Sequence, residues 1–307
     1  MKKLLTFFVA TLFFATTSFA AVYKFSGGPS GGTFQFYASA ISTLANDIKM
    51  KVLASSSAGS VENLRLVNAG RSHFGITYAV DLFEGSKGML RNDTNIYKDA
   101  LIVAKLYAAP AQLIVRANSG ITSAKQLEGK RVAVGNAGSG AAANAERFFR
   151  SIGLWDKIDK QFLGYRQAAD AFNNGQLDAF WIFAGFPNSS ISEAALQTDI
   201  RILSIWNECD NLLEKYPNFE KVVIPANTYK GQTEDVVTFQ DAAIWTANRN
   251  VSEDDLYKLI EKVFSPEGLK YMVSVHKSAV AMDPKTAIEG VRTEVHPAAL
   301  KYFKNVK

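Results

Sequence analysis

The chain has 307 residues, of which 48% are hydrophobic, 12% aromatic and 21% charged. These proportions are typical of a globular protein and exclude disordered and collagen-like chains. The single cysteine, Cys209, excludes an internal disulfide. With only three histidines besides it, few ligands remain for a Cys- or His-based metal site. We therefore expect no metal and no cofactor.

The first 20 residues have the three-part pattern of a secretory signal peptide. Lys2 and Lys3 precede an apolar stretch over residues 4–15, and small residues at 18 and 20 predict cleavage after about Ala20. The apolar stretch is shorter than the roughly 20 residues that a membrane-spanning helix needs. Export removes two lysines and takes the formal net charge from +5 to +3. Because the remaining charges of both signs are interspersed, we expect no nucleic-acid partner.

The first part of the mature chain alternates between strand and helix patterns. We predict strands over residues 22–26, 51–54 and 73–79, and helices over residues 33–47 and 60–69. This succession is typical of a parallel sheet with helices on its faces.

After two apolar stretches, residues 101–107 and 112–115, the same pattern begins again. The predicted strands are 131–135, 179–183, 200–205 and a long one over 236–247. The predicted helices begin at the capping box of Ser123, before the apolar stripe of residues 141–152, at Pro187 and after Ser252.

We infer two α/β lobes after the signal peptide of residues 1–20. The first lobe comprises residues 21–114 and 238–307, and the second comprises residues 115–237. The chain crosses between the lobes twice, near residues 112–115 and 236–247, which is the plan of a hinged clamshell.

Three loops rich in glycine and hydroxyl residues each follow a predicted strand and begin a predicted helix. They are residues 27–33, residues 55–60 with Asn63 one turn on, and residues 135–140. Such loops lie at the carboxyl ends of parallel strands, where ligands bind, and their N–H groups favour an anion. Each loop alone could be an ordinary turn, but three at equivalent places favour an anion site. Because the third lacks the Lys-Ser/Thr ending of a nucleotide loop, we expect a carboxylate.

A hydrolase is an alternative interpretation. Residues 28–32 match G-x-S-x-G, the pattern of a nucleophile elbow, which makes Ser30 a candidate nucleophile. Its partners would be His276 or His296 with an acidic residue. Ser30 lies only ten residues into the mature chain, before any sheet is built, and this argues against the elbow. His296-Pro297 is expected to form a structural turn.

Aromatic residues at the ends of apolar stretches, with their neighbours, are candidates for the wall of the site. In the second lobe, Phe183 lies at the end of a predicted strand and is followed by Gly185 and Pro187. In the first lobe, Tyr78 and Tyr107 end apolar stretches, and their phenols could close on a ligand. The aromatic side chains could equally lie in the core or at the rim.

Three segments resemble the TAXI family, the extracytoplasmic solute receptors of TRAP (tripartite ATP-independent periplasmic) transporters. They are residues 26–34, 57–64 and 127–140, and similarity continues through 177–187, the 236–247 strand and 295–297. The resemblance implies a two-lobe periplasmic-binding-protein clamshell of the type II kind, with mainly parallel sheets and crossing strands at the hinge. It implies no enzymatic activity, and we also expect a monomer. The ligand would be a small organic anion, an amino acid such as glutamate or a dicarboxylate, delivered in the periplasm to membrane subunits of a TRAP transporter.

The loops, the aromatic residues and the resemblance together give the predicted ligand-binding residues. They are Gly32, Thr33, Phe34, Ser57, Ser60, Asn63, Tyr78, Tyr107, Gly138, Ser139, Gly140, Ala141, Phe183, Gly185 and Pro187. Ala141 and Ala298 depart from the family pattern, which usually has threonine and glycine there. The alternatives are a receptor for a different solute of an ATP-driven importer, and a secreted serine hydrolase using Ser30.

Overall fold

The computed structural model describes residues 21–90 and 93–306, so the predicted signal peptide lies outside the described residues. The strands are β1 (Val22–Ser26), β2 (Lys51–Ser55), β3 (Phe74–Tyr78), β4 (Ala100–Arg116), β5 (Arg131–Ala133), β6 (Asp159–Gln161), β7 (Ala179–Phe183), β8 (Ile200–Ile202), β9 (Glu220–Ile224) and β10 (Val236–Asn248). The helices are α1 (Thr33–Asp47), α2 (Ser60–Asn68), α3 (Ala79–Ser86), α4 (Gly140–Ser151), α5 (Tyr165–Asn173), α6 (Ser189–Gln197), α7 (Asp210–Lys215), α8 (Glu253–Val263), α9 (Pro266–Val275) and α10 (Pro297–Asn305).

The strands form one continuous sheet in the order β2-β1-β3-β10-β4-β7-β5-β6, with β8 paired to β4 and β9 to β10. The outer strands pair in parallel, as predicted: β1 with β2 and β3, and β5 with β6 and β7. The two central strands, β4 and β10, are antiparallel to each other and to their neighbours. Mainly parallel sheets were predicted from the sequence. The observed sheet is parallel only toward its two outer edges, because β4 and β10 run antiparallel to their neighbours at its centre.

Strands β4 and β10 join the two lobes. Residues 100–110 of β4 pair with β10, whereas residues 111–116 pair with β7 and β8. The sequence pattern predicted two separate apolar stretches here, but one strand of 17 residues runs through both. Small residues and Pro110 interrupt the apolar run at the crossing without ending the strand.

Each lobe packs helices against its part of the sheet. In the first lobe, α1 packs against β2 and contacts α8 and α9, and α2 packs against β3. In the second lobe, α4 and α5 pack against β7. Most of the buried apolar side chains form one cluster that runs through both lobes, with Trp245 and Trp181 among its largest fully buried members. A second, smaller cluster lies around α2 and α3.

Several helix ends agree with the sequence analysis, and two do not. The capping box of Ser123 and the Ser252 cap of α8 are present. The prediction for Pro187 is wrong: α6 begins at Ser189, because the Asn188 side chain accepts hydrogen bonds from the first turn. The His296-Pro297 turn is instead the start of α10, with His296 as its cap and proline in its first turn.

Membrane-spanning helices and clusters of metal-binding side chains are two further features that bear on the function. No helix of the described residues is long and apolar enough to cross a bilayer. Within the same ranges, no three or more His, Cys, Asp and Glu side chains come together as a metal site would require.

Candidate functional site

A cavity with a volume of about 20 Å³ lies between the two lobes, where the predicted loops meet. This is room for about one water molecule, so the walls are close together. Ten of the predicted site residues line it: Gly32, Thr33, Phe34, Ser60, Tyr78, Tyr107, Ser139, Gly140, Ala141 and Phe183.

The wall also contains residues that the sequence analysis did not name one by one. Four of them lie in the three predicted loops: Pro29, Ala58, Gly59 and Asn136. The other three were missed: Gly164, Tyr165 and Ala184. The sequence does contain a signal for Gly164 and Tyr165, because Gly164 follows a strand and Tyr165 begins a helix, as in the three predicted loops. That strand, β6, has only three residues, partly exposed or exposed, and gives no apolar run to detect.

Four helices begin at this cavity: α1, α2, α4 and α5. Their N-cap residues, Gly32, Gly59, Ser139 and Gly164, all line the wall. Glycine has no side chain with which to cap a helix, so only Ser139 does so, by accepting a hydrogen bond of 3.0 Å from the Ala142 N–H. First-turn N–H groups and the positive ends of four helix dipoles therefore face one small space. Because the lining residues are all uncharged, the favourable field for an anion comes from the backbone.

Two predicted residues, Ser57 and Asn63, support the site from outside the cavity wall. Asn63 is fully buried, and its amide donates to the carbonyls of Gly27 and Ile76 at 2.6 and 2.8 Å. The Ser57 hydroxyl donates to Asn63 Oδ1 at 2.6 Å. These bonds use the hydrogen-bonding capacity of the Asn63 amide, so Asn63 fixes the shape of two loops instead of facing a ligand.

Three other predicted residues also lie outside the wall. Gly138 is exposed and borders a separate groove of about 800 Å³ between α2, α3 and α4. Gly185 packs so closely that an added Cβ would lie 3.0 Å from Ser278 Oγ and 3.2 Å from Tyr107 Cε2. Pro187 follows a cis peptide bond. The neighbouring residue Ala184 lines the cavity in their place.

The lobes touch each other directly beside the cavity. Gly140 of the second lobe is so close to the first that an added Cβ would lie 2.5 Å from Ser60 Cβ and 2.6 Å from Tyr78 Cδ2. The Tyr78 hydroxyl crosses the cleft and donates to the carbonyl of Phe183. Only a residue without a side chain allows this approach at position 140.

A buried ion pair also crosses the cleft. Arg147 on α4 contacts Asp81 at 2.8 Å and Glu84 at 2.5 Å, both on α3. Burial alone would lower the pKa of Arg147, but the two carboxylates outweigh it and raise the pKa above its usual value. The Ser60 hydroxyl donates to Asp81 at 2.6 Å and accepts from the Tyr78 N–H at 2.8 Å. Ser60 therefore connects the cavity wall to the ion pair.

One further carboxylate lies behind this pair. Asp241 on β10 is buried and accepts hydrogen bonds from the N–H groups of Val80 and Ala242. Burial raises the pKa of Asp241, and so does the nearby charge of Asp81, whereas the two N–H bonds and Arg147 lower it; the net pKa is about 7.

Three phenols face the cavity as neutral groups. Burial raises the pKa of Tyr78, Tyr107 and Tyr165 far above neutral pH. The Tyr165 hydroxyl donates to the Phe183 carbonyl at 2.8 Å, beside Tyr78. The Tyr107 hydroxyl and the Thr33 Oγ1 are both buried without a hydrogen-bond partner of normal geometry in the described protein.

The hydrolase interpretation gains no support from the histidines. The Nδ1 atom of His73 accepts from the Lys24 N–H at 2.9 Å, that of His276 pairs with Ser278 at 2.8 Å, and that of His296 accepts from Ala298 at 3.3 Å. Ser30 itself is exposed. None of these three Nδ1 contacts is made with Ser30.

Comparisons with known proteins agree with this architecture. Residues 25–306 match the model of the NMT1-like family. The chain is similar to the substrate-binding protein of an amino acid ABC transporter, with 12% identity over 84% of this chain and 100% of that one and a TM-score of 0.53. It is also similar to the GluR0 ligand-binding core from Nostoc punctiforme, which was solved in complex with L-glutamate, with 13% identity over 82% and 97% of the two chains and a TM-score of 0.52. At these identities the likeness establishes the fold, and the predicted two-lobe clamshell of the type II kind is confirmed.

Proposed function

Because the chain belongs to the NMT1-like family and has the fold of solute-binding proteins, we propose that it captures a small organic anion between its lobes and delivers it to membrane transporter subunits. The observation that carries this proposal is the meeting of four helix N-termini at one uncharged cavity. Backbone N–H groups arranged in this way bind carboxylates without a cationic side chain. An amino acid such as glutamate and a dicarboxylate are the ligand classes that the sequence resemblance suggests.

Recognition in this proposal is divided between the lobes. Helices α1 and α2 belong to the first lobe, and α4 and α5 to the second. An anion can contact all four only when the lobes are closed, so it favours the closed state by the extra contacts made there. The lobes would be residues 21–114 with 238–307, and 115–237, joined by β4 and β10. In the present structure the cavity is about 20 Å³, so an amino-acid-sized ligand would require side chains of the wall to move aside while the lobe contacts at Gly140 and Arg147 are kept.

The wall residues would act as binding groups and not as catalysts. We propose Gly32, Ser60, Ser139 and Gly140 as the residues closest to the carboxylate, with Thr33, Phe34, Tyr78, Tyr107, Ala141 and Phe183 as the remaining wall. The Ser60 hydroxyl donates to the Asp81 carboxylate. Because Arg147 also binds that carboxylate and holds it as the anion of an ion pair, this arrangement favours binding over base catalysis.

The membrane partner is the finer part of the proposal. The resemblance of residues 26–34, 57–64 and 127–140 to TAXI receptors suggests TRAP subunits in the periplasm. The similarity to the substrate-binding protein of an amino acid ABC transporter supports the alternative, an ATP-driven importer. Uptake of the ligand by cells carrying this receptor separates the two. A TRAP partner predicts uptake that stops when ion gradients are collapsed and that tolerates vanadate, whereas an ATP-driven importer predicts inhibition by vanadate.

A thermal-shift screen tests the binding function itself. The panel contains glutamate, alanine, succinate, lactate, pyruvate and propionate, with the uncharged glycerol as a control. A true ligand at 100 times its Kd stabilises the folded protein by about 2.7 kcal/mol, which is a readily measured rise in melting temperature. If no carboxylate raises the melting temperature at millimolar concentration, the proposed anion site is wrong.

A further inference from the structure

The unpartnered hydroxyls of the cavity carry information about the ligand. Thr33 Oγ1 and the Tyr107 hydroxyl are buried, line the cavity and lack a hydrogen-bond partner of normal geometry. Thr33 and the Gly185 backbone approach the Tyr107 hydroxyl without forming such a bond. Buried polar groups are nearly always satisfied, and an exception in a native structure calls for an explanation.

The surroundings of this pair are aromatic and uncharged. The Tyr107 ring packs against Tyr37 at 4.9 Å between centroids and against Phe34 at 6.3 Å. The Tyr37 hydroxyl forms a hydrogen bond of 3.0 Å with the Ser278 hydroxyl, and the Ser278 hydroxyl also contacts the His276 ring. Burial lowers the pKa of His276, which disfavours the charged form of this ring. None of the described residues that line the cavity has a charged side chain, so a second carboxylate would find no cation in the wall to balance it.

A ligand ammonium group would likewise find no carboxylate among the described residues of the wall. The acidic side chain nearest the wall in the hydrogen-bond network is Asp81, which is fully buried and bound to Arg147 and Ser60. Burying a charge without a partner is costly, so both a second negative charge and an ammonium are disfavoured in this cavity.

Resting on the proposed anion site, we propose that Thr33 and Tyr107 form a neutral hydroxyl subsite that binds an uncharged oxygen of the ligand. The ligand class is then a monocarboxylate that carries a hydroxyl or keto oxygen, and not a zwitterionic amino acid or a dicarboxylate. The helix N-termini hold the carboxylate, and the two hydroxyls donate to the neutral oxygen.

Calorimetry on the parent and three variants tests this subsite with lactate, pyruvate, propionate, succinate and glutamate. The parent is expected to bind lactate or pyruvate about tenfold more tightly than propionate, which lacks the second oxygen, and more tightly than succinate or glutamate. Tyr107→Phe and Thr33→Val should reduce that ratio severalfold while leaving propionate binding nearly unchanged. Tyr107→Phe should not lower the melting temperature, since it removes a hydroxyl without a protein partner.

Tyr229→Phe is the matched control. Tyr229 is equally buried but lies outside the cavity wall, and its hydroxyl donates to Gln112 at 2.6 Å and accepts from the Asn188 N–H at 2.8 Å. This variant should lower the melting temperature and leave the ratio of lactate to propionate affinity unchanged.

The outcomes separate this inference from the proposed function. Absence of binding by every carboxylate overturns the anion site itself. Binding of carboxylates with a ratio that Tyr107→Phe and Thr33→Val leave unchanged overturns only the hydroxyl subsite. Glutamate or succinate bound tenfold more tightly than lactate and pyruvate also overturns it, because the cavity then accommodates a second charge.

Discussion

Replacement of Gly140 by alanine should separate lobe closure from lobe stability. A Cβ at this position would lie 2.5 Å from Ser60 Cβ, whereas carbon atoms in contact rest at about 3.5–4.0 Å. Closure must therefore stop about 1 Å short of the present structure. Overpacking of this kind costs about 1–3 kcal/mol, which corresponds to about 5- to 150-fold weaker ligand binding. Within the second lobe alone, alanine is the better helix former, so the melting temperature without ligand should not fall.

Gly153→Ala provides the control with the opposite signature. Gly153 follows the same helix with a φ of +73°, and no atom lies within 4 Å of an added Cβ. Alanine there is strained by about 1–2 kcal/mol, so stability should fall while affinity stays constant. The assays are calorimetry with the tightest carboxylate of the thermal-shift panel, small-angle scattering with and without it, and thermal melting. A Gly140→Ala protein that binds as tightly as the parent would refute the role of this contact in closure.

Three further substitutions test the network around the cavity. Arg147→Met leaves Asp81 and Glu84 without their partner in the closed cleft, so calorimetry should show at least about tenfold weaker binding, whereas Arg150→Gln, at an exposed site on the same helix, should not. Asp241 has a raised pKa of about 7, so the folded protein binds a proton that the unfolded chain releases, and stability should fall as the pH rises from about 4 to 7; Asp241→Asn should remove that slope in denaturant titrations. Ser139→Ala should lower the free energy of unfolding by about 0.5–2 kcal/mol through the lost cap, and unchanged stability in the same titrations would contradict the cap.

The sequence predicts the outer parts of the fold well because their signals are local. Residues 22–26 and 51–55 form strands, as the sequence predicts. Each strand is followed by a loop rich in glycine or serine, and each loop leads directly into a helix. The crossing strand β4 is predicted less well, since Pro110 breaks its apolar run while the pairing with β10 keeps the strand extended. Tertiary pairing overrides the local pattern at that point.

The site is only partly predictable for a related reason. Ten residues of the wall follow from glycine loops and aromatic strand ends, which are visible in one sequence. The difference between Ser60, which faces the cavity, and Asn63, which holds two loops together, depends on the direction of one side chain relative to β3. The Asp81–Arg147 pair joins positions 66 residues apart on different lobes. No periodicity in the sequence marks such a pair, because it exists only after both lobes are folded and closed.

Recognition and closure use the same short chain of contacts. Ser60 begins α2 at the cavity wall and donates to Asp81, and Asp81 binds Arg147 of the other lobe. An anion at the N-terminus of α2 therefore lies one hydrogen bond from the ion pair that joins the lobes. The ion pair alone can stabilise a closed cleft without distinguishing between ligands, whereas the helix N-termini and the neutral hydroxyls can distinguish them. Selectivity must then come from differences in how ligands fit the uncharged wall, since the charged contacts of the closed cleft are made between protein groups.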